Sequence, residues 1–346
     1  MKIDLKAAQE AVELITGGWR AQCLHAALKM GIPDHVAAGR NTDGMLAQAT
    51  GAEEEGVHRL MRLLVAMGVF DGDGRRGYRN TALSGVLLDE PDSLRDMCLL
   101  YGEEFYTAWG HAHEAISTLT AGFQIAYGEP LYRYLSHDDD VNERFQLAMK
   151  AGNLFFDHVP DVVDFTGRTF ADIGGGIGQL TAAILAAVPD AHGTLLDREH
   201  VVPVAAENLA GSVGLDRVEL VAGDMFEAVP QGRDIYLLCR VLAGWSDDAV
   251  VGLFRNCREA MADPSARLVV LERVVVDEDS TVLPALWDLH LLMTNGGRHR
   301  TVGRFTELLD RAGLDVERVA GLPAETTALI AAPRTAGRPR PEGKPR

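Results

Sequence analysis

The stretch Phe170-Ala171-Asp172-Ile173-Gly174-Gly175-Gly176-Ile177-Gly178 decides the fold of this chain. Its apolar first half predicts a β-strand, its glycines predict a turn, and the apolar run at 179–188 predicts a helix. A parallel α/β sheet binds nucleotide-like ligands with this combination of strand, glycine turn and helix at its carboxyl edge. The glycines let the backbone approach a ligand without an intervening side chain.

Three later predicted strands end in residues that suit an adenosine ligand. The next strand ends in Asp197, whose carboxylate can accept hydrogen bonds from both hydroxyls of a ribose. The third strand leads into Asp224 and Met225, an acid and an apolar side chain for the amine and the face of an adenine. Trp245 follows the fourth strand. Each of these is also compatible with an ordinary strand end, but together and in this order they favour adenosine.

The chemistry of the turn distinguishes between two adenosine ligands. A dinucleotide site needs spaced glycines, so that a pyrophosphate can lie on a helix N-terminus. Here the glycines are crowded directly after Asp172, and the turn contains no Lys or Arg. An acid without a nearby base suits a cationic ligand, such as the sulfonium of S-adenosylmethionine.

The composition argues against several classes of partner. The chain has 346 residues, 47% of them hydrophobic, which is enough for two domains and a sizeable core. Its net charge of −17 argues against nucleic acid or an anionic membrane as a partner. The four cysteines lack paired spacing, which predicts neither disulfides nor a metal site. The absence of a long apolar run or a signal-peptide core predicts a cytoplasmic protein.

The chain is predicted to fold as three segments and a tail. Residues 1–92 show the pattern of a winged helix: helices, a turn, a further helix and a small hairpin. Residues 93–166 form a predicted helical linker that is rich in aromatics. Strands alternate with helices over 167–332, which predicts a doubly wound, Rossmann-like α/β domain. The tail at 333–346 is rich in Pro, Gly and Arg and is predicted to be disordered.

A winged helix also raises a second class of function, a DNA-binding regulator. The second helix of this one begins with Glu53-Glu54-Glu55. Those acids would face DNA phosphates with the wrong charge. No basic face is visible in the sequence, so the regulator is the weaker hypothesis.

The chain resembles the small-molecule O-methyltransferase family of plants and bacteria. The superfamily motifs are at 172–178, 195–197, 223–226 and Trp245. Further motifs resemble the phenazine methyltransferase branch of that family, and the likeness spans about residues 8–332. They are Gly102-Glu103-Glu104-Phe105 with Trp109, Ala148-Met149-Lys150-Ala151 with Asn153, and Trp287-Asp288-Leu289-His290 with Gly297-Arg298-His299-Arg300-Thr301.

This resemblance implies an S-adenosylmethionine-dependent, metal-independent methyltransferase with S-adenosyl-L-homocysteine as product. It implies a homodimer formed through the winged helix, and a small planar phenazine-like acceptor in antibiotic or pigment biosynthesis. The cofactor-binding residues that it implies are Asp172, Gly174, Gly176, Asp197, Arg198, Gly223, Asp224, Met225, Arg240 and Trp245.

The acceptor site implied by the resemblance is aromatic and apolar, with a few polar anchors. A planar tricycle would be held there by stacking and apolar burial. The apolar candidates are Trp109, Phe123, Phe145, Met149, Phe156 and Met293, and the polar ones are Asn153, His290 and Asn295. Each of these side chains is equally compatible with packing in a protein core.

The chain departs from the family at the catalytic base. The resemblance places that base, a histidine in the O-methyltransferases, at Ala243, and the acid after it at Gly244. The family's flanking glutamates correspond to Glu272 and His299, which are the catalytic candidates here. Because alanine cannot accept a proton, the acceptor is expected to be a ring nitrogen or a hydroxyl or N-hydroxyl that ionises before binding. Replacement of the base by His290 or His299 is the remaining possibility.

Two other enzyme functions stay open on the sequence alone. One is O-methylation of another polycyclic aromatic hydroxyl. The other is chemistry without methyl transfer, such as hydroxylation or decarboxylation, in a methyltransferase fold that still binds the cofactor.

Overall fold

The computed structural model describes residues 3–91 and 93–334, which divide into two compact units between Asn153 and Leu154. The first unit is helical with one hairpin. Its elements are α1 (Leu5–Ile15), α2 (Gly17–Lys29), α3 (Ile32–Ala37), α4 (Asp43–Thr50), α5 (Glu54–Ala66), β1 (Phe70–Asp73), β2 (Gly77–Asn80), α6 (Ala82–Gly85), α7 (Arg95–Gly102), α8 (Glu104–Trp109), α9 (Ala112–Thr118), α10 (Gly122–Tyr127), α11 (Leu131–Leu135) and α12 (Asp139–Ala151).

The predicted winged helix is present as α4, α5 and the β1–β2 hairpin. The side chain of Thr42 accepts a hydrogen bond from the Met45 amide and so begins α4, and Gly51 ends this helix in a left-handed conformation (φ +69°). The apolar face of α5 is buried together with the hairpin, in a small core that includes Met61 and Tyr78.

The second unit is a seven-stranded sheet with helices on both faces. Its elements are a 3₁₀ turn (Phe156–His158), α13 (Val159–Val162), β3 (Thr169–Ile173), α14 (Gln179–Ala187), β4 (His192–Asp197), α15 (Val202–Ser212), β5 (Val218–Ala222), β6 (Ile235–Cys239), α16 (Asp247–Ala260), β7 (Arg267–Arg273), α17 (Val282–Thr294), α18 (Val302–Arg311), β8 (Leu314–Leu322) and β9 (Thr326–Pro333).

The order of the strands is β5-β4-β3-β6-β7-β9-β8. The first five strands in that order are parallel, and the closing β8–β9 hairpin pairs antiparallel to β7 and within itself. One face of the sheet packs on α14, and the other packs on α16 and α18 through Tyr236, Phe254 and Phe305. The predicted doubly wound α/β fold with an N-terminal winged helix is confirmed.

The parallel strands deliver the predicted cofactor residues to one edge of the sheet. Gly174 follows β3, Asp197 ends β4, Gly223 follows β5, and Arg240 follows β6. Glu272 lies near the end of β7. The strand order reverses between β3 and β6, and ligands of open α/β sheets bind at such a switch point.

The predicted disordered tail lies outside the described residues except for its first two. Pro333 is the last residue of β9, and the guanidinium of Arg334 donates to Asp315 at 2.7 Å. Among the described residues, no helix is both long enough and apolar enough to cross a membrane.

Candidate active site

The glycine turn after β3 has a backbone conformation that residues with a side chain would disfavour. Gly174 and Gly176 have positive φ angles of 70° and 57°. The amide of Gly174 donates to the Leu196 carbonyl at 2.8 Å, which ties the turn to β4. A Cβ atom at Gly175 would lie 2.8 Å from Cγ of Asp172. The crowded glycines therefore let the turn fold directly over that carboxylate.

Two carboxylates flank the turn. Asp172 is buried and accepts a hydrogen bond of 2.8 Å from the hydroxyl of Thr181. Burial raises the pKa of Asp172 to about 6, and the nearby charge of Asp197 adds to this shift. The carboxylate of Asp197 accepts from the amides of Gly176 and Arg198, both at 2.7 Å. The exposed Arg198 thus contributes a backbone contact here.

The segment after β5 lies beside Asp197. The Gly223 amide donates to the Asp197 carbonyl at 3.0 Å. Asp224 is exposed, and one of its carboxylate oxygens accepts from the Phe226 amide at 2.8 Å. Met225 packs against the main core of this unit.

Trp245 and Phe226 form an aromatic pair at the same edge. Their ring centroids are 4.6 Å apart in an edge-to-face arrangement, and Trp245 is 39% exposed. The side chain of Asn256 donates to the Phe226 carbonyl at 2.9 Å and so fixes this segment on α16. An exposed aromatic edge beside an acid suits a flat heteroaromatic ring.

The turn that carries Trp245 is held by a buried arginine. We name residues 242–245 the Trp245 turn. The guanidinium of Arg300 donates to the carbonyl of Leu242 at 2.9 Å and to the carbonyl of Trp245 at 2.5 Å. Only 2% of the Arg300 side chain is exposed. This geometry makes Arg300 the main support of the Trp245 turn.

Asp247, in the first turn of α16, completes the support. It accepts from Arg300 at 2.8 Å and from Arg304 at 2.5 Å, and it pairs with Arg298 at 3.1 Å. Burial alone would raise the pKa of Asp247, but the hydrogen bonds from Arg304 and Arg300 outweigh it and lower the pKa to about 2. The backbone amide of Arg298 also donates to the carbonyl of Ala243 at 3.0 Å.

Glu272 faces the Trp245 turn from β7. It is buried, and its carboxylate accepts from the amide of Leu242 at 2.9 Å. Burial raises the pKa of Glu272 to about 7, against the effects of this hydrogen bond and of nearby arginines, of which Arg240 has the largest effect. Glu272 therefore supports the same turn as Arg300.

The two histidine candidates lie close to a second arginine. The guanidinium of Arg273 lies over the ring of Trp287, 4.2 Å from its centroid, and the His290 ring meets the same indole edge-on at 5.8 Å. Burial, followed by the charge of Arg273, lowers the pKa of both His290 and His299 to about 4. The amide of His299 donates to Asp288 at 2.6 Å. Both imidazoles are therefore neutral at pH 7.

Arg240 follows β6 with a left-handed backbone, φ +53°, which is uncommon outside glycine. Its guanidinium donates to the hydroxyl of Thr326 at 3.1 Å and lies over the ring of Phe155 at 4.5 Å. Phe156 meets Phe155 edge-to-face at 4.8 Å.

The remaining acceptor candidates of this unit flank the end of α17. Met293 is fully buried, while the side-chain oxygen of Asn295 accepts from the amide of Gly297 at 2.8 Å. Asn295 thus shapes the loop that leads to His299.

The other acceptor candidates belong to the helical unit. Phe123 is fully buried and stacks on Tyr127 at 4.4 Å, in the aromatic core of this unit. Phe145 is buried in the same core, and Met149 packs against it. Trp109 ends α8, and Asn153 follows α12. Contact of these residues with an acceptor stays a prediction.

Over residues 3–91 and 93–334, no group of three or more His, Cys, Asp or Glu side chains is arranged to hold a metal ion. The arrangement at the sheet edge instead suits a cationic adenosine ligand: a close glycine turn, two carboxylates and an exposed aromatic pair.

Fold and site together define an S-adenosylmethionine-dependent methyltransferase. Residues 109–315 match the O-methyltransferase domain, and residues 12–90 match the O-methyltransferase dimerisation domain. The chain belongs to the O-methyltransferase family. Structures of related methyltransferases have been solved with S-adenosylmethionine or S-adenosylhomocysteine bound.

Three comparisons narrow the relationship within the family. The chain is 46% identical to the phenazine-1-carboxylate N-methyltransferase of Pseudomonas aeruginosa, over 95% of this chain and 98% of that one. It is 37% identical to the 3-amino-4-hydroxybenzoate 4-O-methyltransferase of Streptomyces cremeus, over 94% of this chain and 90% of that one. The solved structure of the pyocyanin biosynthetic protein PhzM superposes with a TM-score of 0.90 at 46% identity, over 95% of this chain and all of that one. The predicted resemblance is confirmed.

Several residues that shape this site were not predicted from the sequence. Arg300 and Asp247 support the Trp245 turn, Phe226 pairs with Trp245, and Arg273 lies beside the histidines. Phe226 and Arg300 stood within recognised motifs, but nothing in their spacing distinguished a supporting arginine from a solvated one. Only the folded geometry shows that Arg300 is buried.

Proposed function

We propose that this protein transfers a methyl group from S-adenosylmethionine to a ring nitrogen of a phenazine-like heterocycle, in antibiotic or pigment biosynthesis. The protein would act as a cytoplasmic homodimer, with a small molecule rather than nucleic acid as its partner. Ala243, which stands where the family has its base, favours an acceptor from which the protein removes no proton, and the 46% identity to an N-methyltransferase carries the choice of nitrogen. The similarity to a phenazine-1-carboxylate N-methyltransferase over 95% of the chain supports the acceptor class.

The balance of protons explains why alanine suits nitrogen. S-adenosylmethionine supplies the methyl group from its sulfonium. The lone pair of a pyridine-type nitrogen forms the new C–N bond as the C–S bond breaks, so the positive charge moves to the ring and no proton leaves. The protein then has to align the reactants and exclude water. The imidazoles of His290 and His299, whose pKa values are lowered to about 4, are weak bases, which agrees with an acceptor that loses no proton.

We propose the following cofactor contacts. Asp197 would bind the ribose hydroxyls and Asp224 the adenine amine, with Met225 on one face of the adenine and Trp245 covering it. The turn from Gly174 to Gly176 would lie against the amino-acid portion of the cofactor. Asp197 and Asp224 already accept backbone amides, which holds each carboxylate in a fixed orientation.

A hydroxyl that ionises before binding is the second candidate acceptor. The 37% identity to a 4-O-methyltransferase is the observation that favours it. Such an acceptor would also need no base on the protein, so Ala243 alone does not separate it from a ring nitrogen.

The experiment that tests the proposal uses S-adenosylmethionine with a ¹³C-labelled methyl group. The purified protein is incubated with phenazine-1-carboxylate, with 1-hydroxyphenazine and with an N-hydroxyphenazine, and the methylated atom is identified by NMR. We expect an N-methyl product from phenazine-1-carboxylate. Methylation of oxygen only would replace the nitrogen proposal by the second candidate. Cofactor binding without transfer to any acceptor would contradict methyl transfer to phenazines.

A further inference from the structure

The segment before α18 holds His299 in a fixed position at the carboxyl edge of the sheet. The backbone amide of the preceding residue donates to the carbonyl of Ala243 at 3.0 Å. On the other side of His299, Arg300 forms a parallel bridge with Val274, the residue that follows β7. The amide of His299 itself donates to Asp288 at 2.6 Å. The backbone is therefore anchored on both sides of this histidine, and one anchor is the residue at the family's base position.

The two ring nitrogens of His299 have different surroundings. Nδ1 is buried and has no hydrogen-bond partner among the residues that the structure describes. The residue as a whole is only partly buried, and Nε2 is not enclosed without a partner in the same way. Nε2 is therefore the ring nitrogen that a ligand at this edge of the sheet can reach.

This difference favours one tautomer of the neutral imidazole. Such a ring carries one N–H, and its other nitrogen is a hydrogen-bond acceptor. An N–H at Nδ1 would be a buried donor without an acceptor, which is costly. With the proton on Nε2, the donor lies on the accessible side of the ring and only a lone pair stays buried. The surroundings of His299 therefore select the tautomer with the proton on Nε2.

The same surroundings oppose a second proton on the ring. Burial, followed by the charges of Arg273 and Arg240, lowers the pKa of His299 to about 4. A second proton would have to enter at Nδ1, where no described group accepts a hydrogen bond from it. His299 is therefore suited to donating a hydrogen bond and poorly suited to removing a proton from the acceptor.

We propose that His299 binds the acceptor as a neutral hydrogen-bond donor through Nε2–H, and that the acceptor presents to it a lone pair on a ring nitrogen or an oxygen. This inference rests on the proposed methyl transfer to a heterocycle and adds the polar contact that orients the ring. A phenazine-like ring has two nitrogens, so the one that is not methylated keeps a lone pair for such a contact. A neutral donor withdraws less electron density from the ring than an imidazolium would, so the reacting nitrogen stays nucleophilic.

The tautomer is measured by ¹⁵N NMR on protein labelled at its histidine rings. The bare and the protonated nitrogens of an imidazole resonate far apart, and His299→Gln shows which signals belong to His299. We expect a protonated Nε2 and a bare Nδ1 from about pH 8 down to about pH 5, since the pKa is about 4. A proton on Nδ1, or a second proton taken up above about pH 6, would overturn the inference whatever the activity of the enzyme.

The contact is located with ligands that each lack one lone-pair group. Acridine-1-carboxylate and acridine-4-carboxylate each replace one ring nitrogen of phenazine-1-carboxylate by C–H, and phenazine lacks the carboxylate oxygens. Calorimetry gives the Kd of each ligand for the protein saturated with S-adenosylhomocysteine. We expect His299→Leu to weaken binding of phenazine-1-carboxylate by about 2- to 13-fold, the range for a hydrogen bond to a neutral partner such as a ring nitrogen. His299→Gln keeps an N–H donor and should weaken binding less.

The matched control is His192→Leu, which replaces an exposed histidine at the start of β4. It should leave every Kd within about twofold of the native value. The thermal midpoint of each variant is measured as well, so a misfolded protein is recognised. If His299→Leu does not fold, the tautomer of the native protein and the Kd values of His299→Gln still test the inference.

The pattern of losses identifies the contacted atom. A loss that disappears for one of the two acridines makes the partner a ring nitrogen, and a loss that disappears for phenazine makes it an oxygen. Equal losses for all four ligands, or no loss for any, would overturn the contact while methyl transfer stands. A native protein that neither binds nor methylates any of the four would overturn the proposed function, and this inference with it.

Discussion

At the scale of single residues, the carboxylates of the site serve as hydrogen-bond acceptors for the backbone. The carboxylate of Asp197 accepts hydrogen bonds from two backbone amides, that of Asp224 from one, and that of Glu272 from the amide of Leu242. Glu272 matches a family glutamate that flanks the base, but here it faces a turn without a base. Its hydrogen bond to the Leu242 amide supports that turn, and a catalytic role of Glu272 stays a prediction.

Replacement of Asp197 by alanine is expected to weaken binding of S-adenosylhomocysteine. A ribose would lose its charged acceptor, and the Gly176 amide would lose its own. The loss should be about 10- to 150-fold in Kd, which corresponds to roughly 1.5–3 kcal/mol. Isothermal calorimetry measures it, with Asp216→Ala, an exposed acid elsewhere in the unit, as control. A Kd within about twofold of the native value would remove the ribose assignment.

Glu272→Gln is expected to make stability less dependent on pH. The pKa of Glu272 in the folded chain is about 7, above its usual 4.5 because of burial. Between these values the folded state binds more protons than the unfolded chain, so the native protein loses stability as pH rises. Glutamine keeps the oxygen that Leu242 needs but cannot ionise.

The unfolding free energy of the variant minus that of the native protein should rise by about 3 kcal/mol when the pH is raised from about 4.5 to about 8. Urea denaturation at both pH values measures the difference. Turnover should fall by less than about tenfold if Glu272 is no base. Parallel pH curves for the two proteins would show that Glu272 does not titrate in this range.

Ala243→His is expected not to raise turnover on the native acceptor. An acceptor that loses no proton gains nothing from an imidazole. The carbonyl of Ala243 is already bonded to the Arg298 amide, and a larger side chain in this turn is expected to destabilise it by about 1–3 kcal/mol. Steady-state kinetics on phenazine-1-carboxylate measure the effect. An increase of about tenfold or more would mean that proton removal limits the native reaction.

At the scale of elements, the segment before α18 fixes the turn before α16. Arg300 bonds two carbonyls of the Trp245 turn, the Arg298 amide bonds a third, and Asp247 at the start of α16 holds the arginine side chains. A buried guanidinium with three partners is rigid, so the position of Trp245 depends on residues far away in sequence. We expect cofactor affinity to depend on this support.

Arg300→Met is expected to lower affinity for S-adenosylhomocysteine by about tenfold or more and to destabilise the fold by about 3 kcal/mol, because a buried ion pair loses one partner. The matched control is Arg298→Met. The Arg298 side chain pairs with the same carboxylate, that of Asp247, but is 62% exposed, so its loss should change stability by less than about 1 kcal/mol. Calorimetry gives the affinity, and urea denaturation gives the change in stability. An unchanged affinity in folded Arg300→Met would show that the turn holds its shape without this arginine.

At the scale of the whole molecule, the N-terminal helices present an apolar surface. Leu5, Leu14 and Ile15 of α1 are 82%, 83% and 74% exposed, and Trp19 of α2 is 66% exposed. Apolar patches of this kind mark interaction sites. The match of residues 12–90 to a dimerisation domain identifies a second copy as the partner.

The double variant Leu14→Asp, Trp19→Asp is expected to dissociate the dimer, because it places charges in an apolar interface. Light scattering at micromolar concentration should show the mass of a dimer for the native protein and the 37.4 kDa of one chain for the variant. Leu119→Asp, at a residue 75% exposed but outside the dimerisation domain of residues 12–90, should leave the dimer intact. A native protein that is monomeric and fully active would contradict the dimer.

The fold was predictable because its signals are local. Apolar runs that end in Asp172, Asp197 and Asp224 marked the strands, and the glycines marked the turn between β3 and α14. The contacts that support the site were not predictable, because they join distant segments. Arg300 and Arg298 stand two positions apart, and nothing in the local sequence distinguishes them. In the structure, however, the side chain of Arg300 is 2% exposed and that of Arg298 is 62% exposed.

The left-handed backbone at Arg240 sets a limit on how far this enzyme can be made more robust. A non-glycine residue in that conformation costs about 1–2 kcal/mol, and glycine would remove the strain. A redesign that chose the least strained residue for each backbone conformation would therefore put glycine at position 240. It would gain heat resistance and lose the guanidinium that contacts Thr326 and Phe155 at the proposed cofactor site. Thermostabilisation of this enzyme should therefore leave Arg240 unchanged, although its backbone is strained.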